Sequence, residues 1–382
     1  GEMDFIGKYP LNLKTDLIIP SLKSLDIQII KVVARGTLDT LKAGIATRTP
    51  DLLTGWVVVH PVRDHVPMNG ELFFKNYHLP LLKEQKLFAK DGVARFNGDI
   101  QKLHLTLDTD LKGEQIPEGK YNALMDTNLK NQLNINDFNG QLMGGRVGLK
   151  GVVNWHNHVS WDVKGRLEKL NPKDKTLPQV AQDFLPPNLD ANLSSSGSME
   201  KGLSLKANLD FDKYESWAIK LNQAEAKDHK AQPMMLNIAW QGIDRAVPYI
   251  GWLSSAEGYT DVTLKEGQQD IYVATKVRPH EKTLLPTGQY DARFDVKGDL
   301  LDVERFHYQA EKGSLTGQAK VKLPNEKQQL AWQAQLQAQN FNPQTVVAKA
   351  PVNLLNGQIK ATGFVKPNQQ IIQFDQIDLK GQ

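Results

Sequence analysis

Two histidine pairs come nearest to a metal-binding pattern in this sequence. His60 and His65 enclose the run HPVRDH, and His156 and His158 are two positions apart. A zinc site needs further ligands at a matching spacing, which the sequence does not supply, and Pro61 favours a loop. Residues 155–158 lie between two alternating runs, which predicts a hairpin tip. The sequence therefore predicts no metal site.

The serine-rich and glycine-rich segments lack the context that catalysis requires. Ser194-Ser195-Ser196-Gly197 has no Gly-x-Ser-x-Gly frame, so it is not a nucleophile elbow. The sequence contains no HExxH motif and no glycine-rich phosphate loop before a helix. We therefore predict that the chain is not an enzyme, has no catalytic residues and uses no cofactor.

The composition is balanced and free of cysteine. Of the 382 residues, 46 are Lys or Arg and 43 are Asp or Glu, which gives a net charge of +3. No basic tract is interleaved with aromatic residues, so we expect no nucleic-acid partner. The absence of cysteine excludes disulfides and thiolate metal sites.

The sequence also lacks the usual membrane signals. No apolar run approaches the ~18 residues of a membrane-spanning helix, and residues 1–20 do not have the pattern of a signal peptide. The sequence begins and ends in strand-like segments. We expect it to be a piece of a longer protein, with any membrane anchor outside it.

Apolar and polar residues alternate with a period of two along most of the chain. In Leu103–Leu111 the odd positions are leucine or threonine, and the even positions are histidine, threonine or aspartate. Similar runs occupy residues 203–211, 271–277, 290–296, 315–323 and 330–338. Such alternation predicts β-strands in a sheet with one apolar and one polar face.

Helical signals are few and short. Thr176–Phe184 has a capping threonine and an early proline, Asn342–Lys349 is its counterpart, and Ile243–Leu253 is a third candidate that contains Pro248. So few helices cannot cover an apolar sheet face. The sheet must therefore fold over on itself as a sandwich, a barrel or a U-shaped trough.

One long segment occurs twice. Phe138–Pro172 and Phe306–Pro343 share a glycine that opens an alternating strand, a tryptophan in the next strand and a closing Asn-Pro pair. With their flanking matches, the repeat units span approximately residues 117–197 and 286–363. Repeated strand–turn–strand units predict an elongated β array. We expect residues 1–382 to form one continuous segment, with 1–66 as its weakly matched N-terminal part.

The order and spacing of these motifs resemble the TamB family, within the AsmA-like group of bridge-like lipid-transfer proteins. Family members often have tryptophan where this chain has Tyr77 or His78. The resemblance covers roughly residues 70–370. It rests on the repeated block with its Leu185-Pro186-Pro187 extension, on Tyr77–Leu81 followed by Ala94–Gly98 and Gly113–Pro117, and on Leu236–Trp240 leading to Gly258.

The resemblance implies a fold and a cellular setting. The implied fold is all-β, an elongated, U-shaped "β-taco" of stacked strands with an apolar groove and a few short helices. Members of the family are anchored in the inner membrane, cross the periplasm and meet TamA, an outer-membrane barrel. They are implicated in moving phospholipid to the outer membrane and in assembling some outer-membrane proteins. The anchor and the barrel contacts would lie outside this chain.

The residues on the apolar side of the predicted strands are expected to line the groove and to contact acyl chains. Trp161 and Trp332 among them either stack against a ligand or fill the apolar face, and these interpretations converge if that face is the lipid surface. The predicted lining residues are Leu103, Leu105, Leu107, Leu111, Val147, Leu149, Val159, Trp161, Val163, Leu203, Leu205, Leu209, Phe211, Ile271, Val273, Val277, Tyr290, Phe294, Val296, Leu315, Val321, Leu330, Trp332 and Leu336.

Three functions follow as hypotheses. The first is a periplasmic conduit that carries phospholipid acyl chains between the inner and outer membranes. The second is a scaffold or chaperone for outer-membrane β-barrel proteins, since an exposed sheet edge can template an incoming strand. The third is a carbohydrate-active β-helix enzyme, which would need clustered carboxylates and exposed aromatic residues on one polar face. The sequence shows no such cluster.

Overall fold

The computed structural model is built almost entirely of antiparallel strands, which make up 76% of the residues it describes. This confirms the all-β prediction of stacked strands with few helices. The chain divides into two compact units, Gly1–Met199 and Glu200–Gln382, here called the first and second units. The described residues are 10–17, 30–47, 52–78, 87–113, 117–156, 158–173, 177, 179–198, 200, 202–211, 214–225, 232–247, 251–283, 285–323, 330–345, 350, 353–366 and 369–381.

The first unit contains twelve strands, each antiparallel to the next along the chain. They are β1 (Leu11–Leu17), β2 (Ile30–Gly36), β3 (Leu41–Thr47), β4 (Leu52–Val59), β5 (Met68–His78), β6 (Leu87–Gly98), β7 (Leu103–Gly113), β8 (Gly119–Thr127), β9 (Gln132–Leu142), β10 (Gly145–Asn154), β11 (Ser160–Leu170) and β12 (Leu189–Ser198).

The second unit contains eleven strands in the same sequential antiparallel order. They are β13 (Gly202–Phe211), β14 (Glu215–Gln223), β15 (Met234–Val247), β16 (Gly251–Lys265), β17 (Gln268–Val277), β18 (Gly288–Lys297), β19 (Leu300–Gln309), β20 (Ser314–Lys322), β21 (Leu330–Phe341), β22 (Leu355–Lys366) and β23 (Gln369–Gly381).

The cross-strand register places one apolar row across every strand of the first unit. Directly opposed residues in an antiparallel pair share a face of the sheet. From β1 to β12 the row is Leu13, Ala34, Ala43, Val57, Gly70, Phe96, Leu105, Met125, Ile135, Gly151, Val163 and Ser195. We call the side of the sheet that carries this row the apolar face, and the other side the polar face.

An equivalent row crosses the second unit without a polar residue. From β13 to β23 it is Leu205, Leu221, Leu236, Val262, Ile271, Phe294, Val303, Ala319, Ala334, Ala361 and Phe374. In the second unit, too, we call the side of the sheet that carries the row the apolar face and the other side the polar face. The predicted alternation of one apolar and one polar face is therefore present in each unit.

The two sequence copies fold with the same local backbone feature. Lys169 and Asn340 have positive φ angles of 54° and 47°, and each marks a shift in strand register. The amide of Lys169 donates to Asp190 Oδ1 at 2.7 Å, and that of Asn340 donates to Asn356 Oδ1 at 2.9 Å. The bulges keep Leu170 and Phe341 on the apolar face, where both are buried.

The predicted helices have three different outcomes. Helix α1 spans Gln179–Phe184, shorter than predicted, with Thr176 and Pro178 outside the described residues. Pro343–Thr345 forms a 3-10 turn, and residues 346–349 lie outside the described residues. The helix predicted at Ile243–Leu253 is wrong, since β15 continues to Val247 and β16 begins at Gly251. Ile243 pairs with Ser255 there, and this tertiary pairing outweighs the local propensity.

Candidate functional site

The predicted groove-lining residues lie on the apolar face of their units, with Val159 as the exception. Val159 precedes β11 and is exposed in the connection from β10. Leu103, Leu111, Leu209, Phe211 and Val277 are buried, and nearly all of the others are half-buried. A closed sandwich core would bury most of these side chains. Half-burial along the rows indicates an apolar surface that is still accessible.

Strand β23 shows this accessibility most clearly. Ile372, Phe374 and Ile377 belong to its apolar face and are between 53% and 59% exposed. Leu336 on β21 is also exposed, although strands flank β21 on both sides. Exposed apolar side chains of this size mark surfaces that bind apolar partners.

Glycines opposite aromatic rings form the floor of the apolar face. A β-carbon on Gly258 would lie 2.3 Å from the Trp240 ring, and one on Gly363 would lie 2.6 Å from the Trp332 ring. The register pairs the two members of each couple directly. Each ring thus occupies the space that a side chain on the opposing residue would fill. The same relation holds for Gly70 with Phe96, Gly92 with Phe74 and Gly140 with Tyr121.

Sequence analysis missed these glycine–aromatic pairs. The two members of a pair are separated along the chain by a full hairpin or more, so no local pattern links them. One local signal could have indicated such a pair: a glycine at an apolar position of an alternating run. Glycine in a strand often marks the close approach of another group.

Two tryptophan side chains of the apolar face are held by hydrogen bonds from their indole nitrogens. Trp161 Nε1 donates to Ser195 Oγ, and Trp240 Nε1 donates to Ser255 Oγ, each at 2.9 Å. Both acceptors lie on neighbouring strands of the same face. The indole N–H is therefore satisfied within the sheet, and the carbon surface of the ring remains for packing or for an apolar ligand.

A tyrosine–proline hydrogen bond recurs at the same point of both repeat units. The Tyr121 hydroxyl donates to the Pro117 carbonyl at 2.7 Å, and the Tyr290 hydroxyl donates to the Pro286 carbonyl at 2.6 Å. Tyr121 packs on Phe138, and Tyr290 packs on Phe306 and Tyr308. Burial, with a smaller effect of Asp110, raises the pKa of Tyr121 to about 12.

We expect Tyr121 to make the protein sensitive to alkali. Its folded pKa is above the unfolded value, so its full stabilising effect is present below pH 10 and is lost as the pH rises toward 12. Denaturant unfolding at a series of alkaline pH values should show Tyr121→Phe losing less stability over this range than the native chain, by on the order of 1–2 kcal/mol. Identical pH profiles would contradict this assignment.

An ion pair lies on the apolar face of the second unit. Arg245 Nε donates to Glu215 Oε2 at 2.9 Å, and Trp217 Nε1 donates to Glu215 Oε1 at 2.9 Å. The two charged side chains are only 10% and 21% exposed. Gly242, with φ of 71°, shifts the alternation of β15, so Arg245 shares a face with Trp240. Simple alternation from Trp240 assigns Arg245 to the polar face, which is why sequence analysis missed the pair.

The histidine motifs have structural partners. His60 Nδ1 lies 2.8 Å from the Asp39 carbonyl oxygen, and Arg63 bonds the Asp39 carboxylate. Trp155–His158 lie between β10 and β11, as the hairpin prediction required. Within the described ranges, no three His, Asp or Glu side chains converge as a metal site would need. None of the helices in the described part of the chain has the length and apolar character to cross a bilayer.

These features define a class of protein: an open antiparallel β-sheet protein that presents a continuous, accessible apolar face in each of two units. The family described as TamB, N-terminal domain, matches residues 1–226. The chain therefore belongs to the TamB family. That match includes residues 1–66, which the motif comparison related to the family only weakly.

A curated relative matches part of the chain. The protein named translocation and assembly module subunit TamB, from Haemophilus influenzae (strain Rd), is 25% identical over 186 residues. The match covers 45% of this chain and 14% of the relative. No solved structure was found that matches this chain.

Proposed function

We propose that the apolar faces carry phospholipid acyl chains through the periplasm, as part of a conduit between the inner and outer membranes. The uninterrupted apolar row across eleven strands of the second unit is the observation that supports this most directly. An acyl chain can contact such a row at every strand, with its headgroup left in water.

The energetics favour this use of the surface. Removing an acyl chain from water gains ~0.8 kcal/mol per CH₂, so a 16-carbon chain gains on the order of 12 kcal/mol. The aromatic rings beside Gly258 and Gly363 occupy the space above these glycines, and we infer that they do not protrude as far as they would over a larger residue. A mobile chain needs such a floor, since a protruding ring would trap or block it.

Family membership supports a cellular setting for the conduit. We propose that this chain is a periplasmic portion of a longer protein, with an inner-membrane anchor and the contacts to a TamA-like outer-membrane barrel in other parts. The relative is named as a subunit of a translocation and assembly module, which implies a protein partner for such a module. No catalytic step is part of this proposal.

Site-specific photo-cross-linking tests the conduit. A photoreactive residue replaces Leu107 or Val321 on the apolar face, and matched controls replace their neighbours Asp108 and Lys320 on the polar face. With phospholipid labelled in cells, we expect lipid adducts at Leu107 and Val321 and none at the controls. If lipid adducts form at neither Leu107 nor Val321, the conduit proposal is refuted. Adducts to outer-membrane polypeptides at those positions instead of lipid would favour the scaffold function.

A further inference from the structure

The polar face of the second unit is concave where it crosses β13–β19. The hollow has a volume of about 880 Å³, within the ~300–1,000 Å³ range of small-molecule sites. Its floor is made of Ala218, Ala239 and Ala274, and Tyr259 and Tyr272 stand on it. Ala239 lies opposite Tyr259, and Tyr259 lies opposite Ala274, so the register places the tyrosines among the alanines.

The two tyrosines form an exposed aromatic pair. Their ring centroids are 5.5 Å apart with an interplanar angle of 51°, and Tyr259 is 44% exposed. A hydrogen bond with Tyr259, more than burial, raises the pKa of Tyr272 to about 12. Each phenol can both donate and accept hydrogen bonds. The exposed part of the Tyr259 ring is therefore available to a ligand.

Hydrogen-bonding side chains with no internal partner surround the pair. Asn208, Gln241, Gln289, Glu257 and Lys276 line the hollow. In the described part of the chain none of these five side chains has a hydrogen bond or an ion pair to another side chain. Each amide offers two N–H donors and an acceptor oxygen. These five side chains can therefore form hydrogen bonds with a ligand that is rich in hydroxyl groups.

The surroundings disfavour other ligand classes. The floor strands β14–β18 are paired along both edges, so an extended peptide cannot add to the sheet there. Carboxylates and cations are mixed around the hollow: Asp210, Glu257 and Asp291 line it together with Lys276, and Arg305 pairs with Asp291. Such a balance suits neither a polyanion nor a polycation. Acyl chains prefer the opposite, apolar face.

We propose that this hollow binds an uncharged oligosaccharide. The carbon–hydrogen face of a pyranose ring would lie on Tyr259 and Tyr272, with the alanine methyl groups beside it. The ring hydroxyls would bond the amides of Gln241 and Gln289 and the carboxylate of Glu257. The register places Tyr259 and Tyr272 on the face opposite to the acyl-chain surface, so a sugar stacked on them does not occupy that surface and would tether the protein to a glycan.

Saturation-transfer NMR and calorimetry with the 382-residue chain test the site. Cellotriose, maltotriose and chitotriose serve as probes. We expect saturation transfer to the ring protons of at least one trisaccharide, and a Kd that Tyr259→Ala weakens by about tenfold through the lost stacking surface. Tyr259→Phe keeps the ring and should retain most of the affinity, which separates stacking from any loss of folding.

Tyr214 provides a matched control. It is 82% exposed and lies outside the hollow, so Tyr214→Ala should bind the trisaccharide like the native chain. Failure of all three sugars to bind would overturn the proposal, as would binding that survives both Tyr259→Ala and Tyr272→Ala. Lipid adducts at Leu107 and Val321 are measured separately, so the conduit and the glycan site can fail independently.

Discussion

Arg245→Met is expected to destabilise the second unit by about 3–5 kcal/mol, because it leaves the Glu215 carboxylate in a largely buried site without its cation. The Trp217 indole would remain as a hydrogen-bond donor to Glu215, but a single neutral donor does not replace a guanidinium that donates from two nitrogens. Chemical unfolding of the purified chain, followed by tryptophan fluorescence, measures the loss.

An exposed ion pair in the same unit supplies the control. Arg293 donates to Asp270 at 2.7 Å with its own side chain 53% exposed, so Arg293→Met should leave the unfolding free energy nearly unchanged. The double variant Glu215→Leu with Arg245→Met removes both charges and should recover much of the lost stability. If Arg245→Met and Arg293→Met lower the unfolding free energy equally, burial of the Glu215–Arg245 pair does not explain the loss of stability.

Gly258→Ala is expected to have the largest effect on the apolar face. The new β-carbon would lie 2.3 Å from the Trp240 ring, so the ring must leave the floor and its hydrogen bond to Ser255 must break. Overpacking of this kind costs ~1–3 kcal/mol. If the face carries acyl chains, a displaced indole also obstructs them. We therefore expect lower stability together with fewer lipid adducts at Val321.

Gly148→Ala is the matched comparison. Its β-carbon would meet nothing closer than 3.7 Å, at Asn139 Oδ1, and it lies on the polar face of β10. We expect unchanged or slightly higher stability, since alanine restricts the unfolded chain more than glycine does. Combining Gly258→Ala with Trp240→Leu should cost less than the sum of the single changes. Strict additivity would show that the ring and the glycine do not interact.

The sequence alone predicted the strands and their two-faced character, because alternation with a period of two is local. Leu103–Leu111 is one example, and its predicted apolar residues all lie on one face of β7. The two repeat units also share a tyrosine at matching positions of the sequence, Tyr121 and Tyr290. Its hydrogen bond to a proline carbonyl four residues earlier is a short-range contact, which explains why both copies form it.

The tertiary structure decided what depends on register and on bulges. Pairing with β16 makes residues 243–247 a strand where a helix was predicted, and the positive φ at Gly242 reverses the alternation within β15 and brings Arg245 to Glu215. The cross-strand register places Gly258 opposite Trp240. It also brings Tyr259, Tyr272 and three alanines together in one hollow. Because a shift of one residue exchanges the two faces of a strand, such contacts are not determined by any single segment of the sequence.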